Sequence, residues 1–149
     1  MTHHRLAMTV ASMGALLLVG ACSAPPMAPM STMLSARLSG ASEVPNVMSD
    51  ATGTVDASLE PDSRVLTWRI SYSGLSGPVT AAHFHGPAMA GQNAAPVVPI
   101  GGPLLSPIMG RATLTPSQAA DLIAGKWYLN LHTTAHPNGE ARGQVNVRP

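Results

Sequence analysis

The sequence predicts an all-β protein: an antiparallel, Greek-key-like β-sandwich of about seven or more strands, with one short helix near residues 116–124. Three observations carry this expectation. Apolar and polar residues alternate through several short runs, which is the period of a strand with one buried face. Fourteen Gly and fourteen Pro break the chain between those runs, as the turns of an all-β fold require. The spacing of an amphipathic helix, with start and stop signals, stands out at one place.

The first predicted strand has Leu34, Ala36 and Leu38 alternating with Ser35, Arg37 and Ser39, followed by Glu43-Val44-Pro45 as an edge or turn. Residues 53–59 alternate again, with Val55, Ala57 and Leu59 on one face, and Pro61-Asp62-Ser63 is a turn cluster. In residues 64–73, Leu66, Trp68, Ile70 and Tyr72 share a face opposite Thr67, Arg69 and Ser71. After Pro78 closes a loop, residues 79–85 form the next strand. Residues 86–107, rich in Gly, Pro and Ala, read as a long loop with a short strand at Val97-Val98, and residues 109–114 as a further strand. Thr115 is a good N-cap, Pro116 fits the first helical position, and Gln118 completes a capping box. Ala119, Leu122 and Ile123 make the helix's apolar stripe and Gly125 ends it. Residues 127–133 and 141–147 are the last strands, joined through the turn signal Pro137-Asn138-Gly139.

Three segments precede or compose this domain. Residues 1–21 have the order of a secretory signal: a basic start with Arg5, an apolar run, then small residues. The apolar run is short of the roughly 20 residues that span a bilayer. Val19-Gly20-Ala21-Cys22 resembles a lipobox, which implies cleavage before Cys22 and acylation of it. Each acyl chain contributes about 0.8 kcal/mol per buried methylene, so three hold a protein on a membrane stably. Ser23, rather than Asp, after the Cys favours the outer membrane where one exists. Residues 22–32 carry three prolines and read as a tether, and residues 33–149 as the domain. Cys22 is the only cysteine, so the fold has no disulfide. The expected partner is therefore a membrane, in the cell envelope. Nucleic acid is not expected: the eight Lys and Arg and seven Asp and Glu become seven of each once Arg5 is removed, leaving no basic excess.

Four stretches occur in order: Gly40-Ala41-Ser42-Glu43-Val44-Pro45, Ala82-His83-Phe84-His85-Gly86-Pro87, Tyr128-Leu129-Asn130-Leu131-His132-Thr133, and Pro137-Asn138-Gly139-Glu140-Ala141-Arg142-Gly143-Gln144. Together they resemble the CHRD domain, named from chordin and common in secreted bacterial proteins. The chain departs from that pattern at Asn46, where Pro is more frequent, at His136, where Asn is frequent, and at Asn138, where Gly is frequent. The resemblance implies an extracellular β-sandwich and no particular reaction. It favours a non-catalytic binding module.

All the histidines beyond His3 and His4 fall within or beside these motifs. Alternate residues of a strand point to one face. Phe84 belongs in the core, so His83 and His85 share the opposite face. Leu129 and Leu131 belong in the core, so Asn130 and His132 share the opposite face, with His136 in the turn beyond. If the two strands are neighbours, His83, His85, His132 and His136 form a candidate site for copper or zinc, both of which imidazole suits. The His-x-His strand is also analogous to copper/zinc superoxide dismutase, although further ligands for that chemistry are missing. The competing expectation is a structural polar network that includes Asn130, Glu140 and Arg142, with Glu140 and Arg142 making a surface ion pair. No nucleophile beside a base and no paired carboxylates are apparent, so no catalytic residue is assigned.

Overall fold

The computed structural model describes residues 30–149. The expected signal segment 1–21, Cys22 and all but the end of the expected tether lie outside the described residues. Among these residues the chain folds as eight antiparallel strands and one short α-helix. The strands are β1 (Thr32–Ser39), β2 (Thr52–Leu59), β3 (Val65–Ser73), β4 (Val79–His85), β5 (Pro96–Pro99), β6 (Ile108–Thr113), β7 (Trp127–Thr133) and β8 (Ala141–Val147), with α1 (Pro116–Ile123) between β6 and β7.

The strands do not part into two separate ladders. They form one continuous sheet in the order β5-β4-β7-β8-β1-β2-β3-β6. The join between its halves is β1, which pairs with β2 on one flank and with β8 on the other. Trp68 on β3 meets Phe84 on β4 edge to face, with ring centroids 5.3 Å apart, although four strands lie between them in the sheet order. That contact requires the sheet to roll over on itself into a nearly closed barrel, with β5 and β6 at its two edges.

The alternation in the sequence decides which side chains fill the barrel. Leu34, Val55, Leu66, Ile70, Phe84, Trp127, Leu129 and Leu131 are fully buried. Burying a side chain of this size contributes about 1.5–3 kcal/mol. The helix packs against β8. Its capping box is formed in both directions: Thr115 Oγ1 accepts from the Gln118 N–H at 3.2 Å, and Gln118 Oε1 accepts from the Thr115 N–H at 2.9 Å. Ala119 and Leu122 are buried, but Ile123, expected on the apolar stripe, points to solvent. Gly125 ends the helix with φ of 69°, the left-handed conformation that glycine adopts without strain.

Candidate metal centre

β4 and β7 are adjacent and antiparallel, with His83 opposite Asn130, His85 opposite Tyr128 and Ala81 opposite His132. This register follows from burying Phe84, Leu129 and Leu131 together, and it leaves His83, His85, Tyr128, Asn130 and His132 on the outer face. β8 flanks β7 on its other side and adds Arg142, opposite Asn130, and Gln144, opposite Tyr128.

The outer face here is roofed rather than open. After Gly86 the chain folds back over the sheet. Gln144 Nε2 donates to the carbonyls of Ala88 and Gly125, at 2.9 and 2.7 Å. Arg142 donates to Asn93 Oδ1 at 2.8 Å and to the Gln92 carbonyl. The Tyr128 hydroxyl exchanges hydrogen bonds with the backbone of Ala94. Beneath this roof the Arg142 guanidinium lies 3.4 Å from the Tyr128 ring centre, and the His85 ring stacks on Tyr128 within 6° of parallel.

One ring nitrogen each of His83, His85 and His132 lies within 4.8 Å of the others. The closest approach is His83 Nδ1 to His132 Nε2, at 3.1 Å. His85 is buried, and His83 and His132 are half-buried. His136 is not part of this group. Its backbone closes a turn with Thr133, and that turn carries it away from the other three imidazoles.

Backbone carbonyls set the tautomers. The Nδ1 of His85 lies 2.9 Å from the Ala94 carbonyl, and the Nδ1 of His132 lies 2.9 Å from the Pro137 carbonyl. A carbonyl only accepts, so in each neutral ring Nδ1 carries the proton and Nε2 the lone pair. The His132 lone pair then accepts from His83 Nδ1–H. The Nε2 of His85 is buried and has no hydrogen-bond partner. Holding the far nitrogen of an imidazole on a backbone carbonyl is how protein metal sites orient their histidines. Burial, reinforced by the neighbouring imidazole of His132, lowers the pKa of His83; burial is also the main cause lowering that of His85. Both rings therefore stay neutral to a lower pH than an ordinary imidazole, and Nδ1 of His83, which holds the shared proton, becomes a ligand once that proton moves to Nε2.

Ligand nitrogens about 2.0–2.1 Å from a zinc ion sit roughly 3.3 Å apart in tetrahedral geometry. The His83–His132 pair is already at that spacing, and the other nitrogen pairs lie within 4.8 Å. The donor set fits a copper or zinc ion. Two grooves of about 570 and 610 Å³, one over β1, β2 and β8 and the other over β1, β2 and β3, are lined by none of the histidines.

The other expected polar residues divide between two places. Asn130 is buried on the histidine face, and its Nδ2 donates to both carboxylate oxygens of Glu43, at 2.8 and 2.9 Å. Burial pushes the Glu43 carboxyl up to about 7, against the opposing pull of Arg142 and of the Asn130 hydrogen bond. Glu140 is on neither the surface nor this face. It is fully buried and accepts from Ser49 Oγ at 2.7 Å, from the N–H and Oγ of Ser76 at 2.7 and 2.6 Å, and from Thr133 Oγ1 at 2.6 Å. The expected surface ion pair between Glu140 and Arg142 is therefore absent among the described residues, because each is buried against different loops. Burial pushes the Glu140 carboxyl up, but the donated hydrogen bonds outweigh it and hold it at about 2.

Two residues of the site were not picked out in the sequence. Glu43 stands in a segment whose sequence reads as an edge or turn, and Tyr128 in a strand legible only by its alternation. Their sole sequence signal was membership of the ordered motifs. A family model described as CHRD domain matches residues 34–145. Comparison with curated proteins found no match, and comparison with solved structures found none either.

Proposed function

The chain belongs to the CHRD domain family, and from that premise we propose that it is an exported, lipid-anchored, non-catalytic module that binds one copper or zinc ion through His83, His85 and His132. The observation that carries the metal is the buried, unpartnered Nε2 of His85 beside two other imidazoles. A network built only for stability uses its buried polar atoms, because each one left unpaired costs about 1–3 kcal/mol. A cation satisfies this lone pair and completes the carbonyl-held orientation of the rings.

Export and anchoring are supported by the order of residues 1–22: a basic start, an apolar run and small residues before the single Cys22. No helix among the described residues is long and apolar enough to cross a membrane. The acylated Cys22 is then the attachment, to the outer membrane where one exists.

Calorimetric titration of the mature chain, purified without a His-tag, tests the metal. One Zn(II) or Cu(II) per chain is expected, and His85→Ala should abolish tight binding. A wild-type chain that takes up neither ion would refute the reading.

A further inference from the structure

Resting on that metal site, we infer that the side-chain oxygen of Asn130 is its fourth donor, which makes the centre one for a divalent ion, Zn(II) or Cu(II), rather than for Cu(I).

Asn130 is 3% exposed, and its amide is held in one orientation. Both carboxyl oxygens of Glu43 take hydrogen bonds from Nδ2, so with Glu43 ionised the amide cannot be reversed without facing its oxygen to a carboxylate. This close approach depends on Gly139. A Cβ there would stand 2.7 Å from Glu43 Oε1, in the space the pair occupies. With Nδ2 committed to Glu43, Oδ1 is buried and has no hydrogen-bond partner.

Oδ1 belongs to the same patch as the imidazoles. Asn130 is the cross-strand partner of His83, and His132 lies two residues further along the same face of β7. His85 is diagonal to Asn130 across the two strands, within the reach of long side chains. This one patch therefore holds two buried acceptors without donors, His85 Nε2 and Asn130 Oδ1. The single proton shared by His83 and His132 satisfies neither. One cation at the centre satisfies both. A carbonyl oxygen beside three imidazoles suits a divalent zinc or copper ion. Cu(I), a softer ion, gains little from an amide oxygen.

The full mature chain should be titrated with Zn(II) and, without air, with Cu(I). Asn130→Ala should weaken Zn(II) binding by at least about tenfold and leave Cu(I) binding close to wild type, whereas His85→Ala should weaken both. Asn130→Asp made together with Glu43→Gln, which keeps an oxygen at the same reach and gives the second carboxylate oxygen an amide donor in place of Glu43, should retain Zn(II). If Asn130→Ala leaves Zn(II) unchanged, or weakens both ions alike, or if the wild type takes Cu(I) and not Zn(II), the fourth donor is overturned while the three-histidine site stands. Should Asn130→Ala fail to fold, the double variant Asn130→Asp with Glu43→Gln decides. Loss of Zn(II) from a variant that still takes Cu(I) overturns the assignment, and retention of Zn(II) supports it. A wild-type chain that binds neither ion overturns both readings.

Discussion

His83 Nδ1 and His132 Nε2 stand 3.1 Å apart although 49 positions separate the two residues in the chain. Only the antiparallel pairing of β4 with β7 brings them together, and only the burial of Phe84 and Leu131 turns both outward. His136 is four residues from His132 and outside the group. Proximity in sequence and proximity in space thus make opposite statements about the two histidines. His132→Ala should abolish tight Zn(II) binding, while His136→Ala should leave affinity unchanged. Calorimetry on the two variants checks this, and equal losses would mean that the turn histidine ligates after all.

Glu140 gives the fold a pH dependence of known sign. Its folded-state carboxyl is held at about 2, below the ordinary value of 4.5. A depressed carboxylate contributes stability that is present above its unfolded pKa and lost as pH falls through the folded one. Melting temperature should therefore decline as pH drops from about 4.5 towards 2. Glu140→Gln should be less stable than wild type at neutral pH and lose less on acidification. Glu140→Ala leaves the hydroxyls of Ser49, Ser76 and Thr133 without their acceptor, at a cost of about 3 kcal/mol or more. Denaturant melts across this pH range measure both effects; parallel curves for wild type and Glu140→Gln would show that the carboxylate is not the source.

Alternation made β4 and β7 legible: both strands run over the residues expected of them, 79–85 and 127–133. It also placed His83, His85 and His132 on outward faces. Alternation says nothing about which strands pair, so the meeting of the three rings became visible only with the sheet order. The failure at Glu140 has the same origin. Residues 140 and 142 share parity, which suggested a common surface. Their surroundings are instead made by segments 91 and 64 positions from Glu140, and about 49 positions from Arg142. The roof over the outer face, formed by residues 86–95, buries positions that strand parity alone assigns to solvent. Glu43 escaped notice for the complementary reason: it lies in no strand, and its role depends on Asn130, 87 positions away.

The barrel's closure can be tested at Phe84, which is fully buried and touches Trp68 and Trp127 at once. Phe84→Ala should cost about 3–5 kcal/mol. Because Phe84 sits between His83 and His85, the same variant should also loosen the metal site. A milder replacement, Phe84→Leu, should keep Zn(II) binding with a smaller loss of stability. Urea unfolding of both proteins gives the numbers; a loss under about 1 kcal/mol for Phe84→Ala would contradict the packing described.

Gly139 tests the wall between Glu43 and Asn130. Its φ is 129°, in a region that L side chains rarely adopt, and a Cβ would meet both partners of the pair. Gly139→Ala should therefore be destabilised by about 1–3 kcal/mol from backbone strain alone, with a further loss from displacing Glu43. Asn138→Ala, one residue earlier and exposed, is the control and should change little. Chemical denaturation of the pair of variants separates a local steric demand from general sensitivity of the turn.

In the proposed anchoring, attachment rests on one atom, the sulfur of Cys22. With Val19-Gly20-Ala21 before it and no other cysteine in the given sequence, Cys22 is the residue on which the proposed thioether-linked lipid would sit. A single acyl chain gives only marginal membrane binding, and two or three make it stable. Cys22→Ser should therefore move the protein from the membrane fraction to the soluble one in a single step, not in a graded way. The domain should be unaffected, since β1 begins ten residues later at Thr32 and no disulfide is lost. Zn(II) affinity and melting temperature of the released protein should match those of the anchored form in detergent. Retention of Cys22→Ser in washed membranes would show that something other than a lipid on this residue holds the protein there.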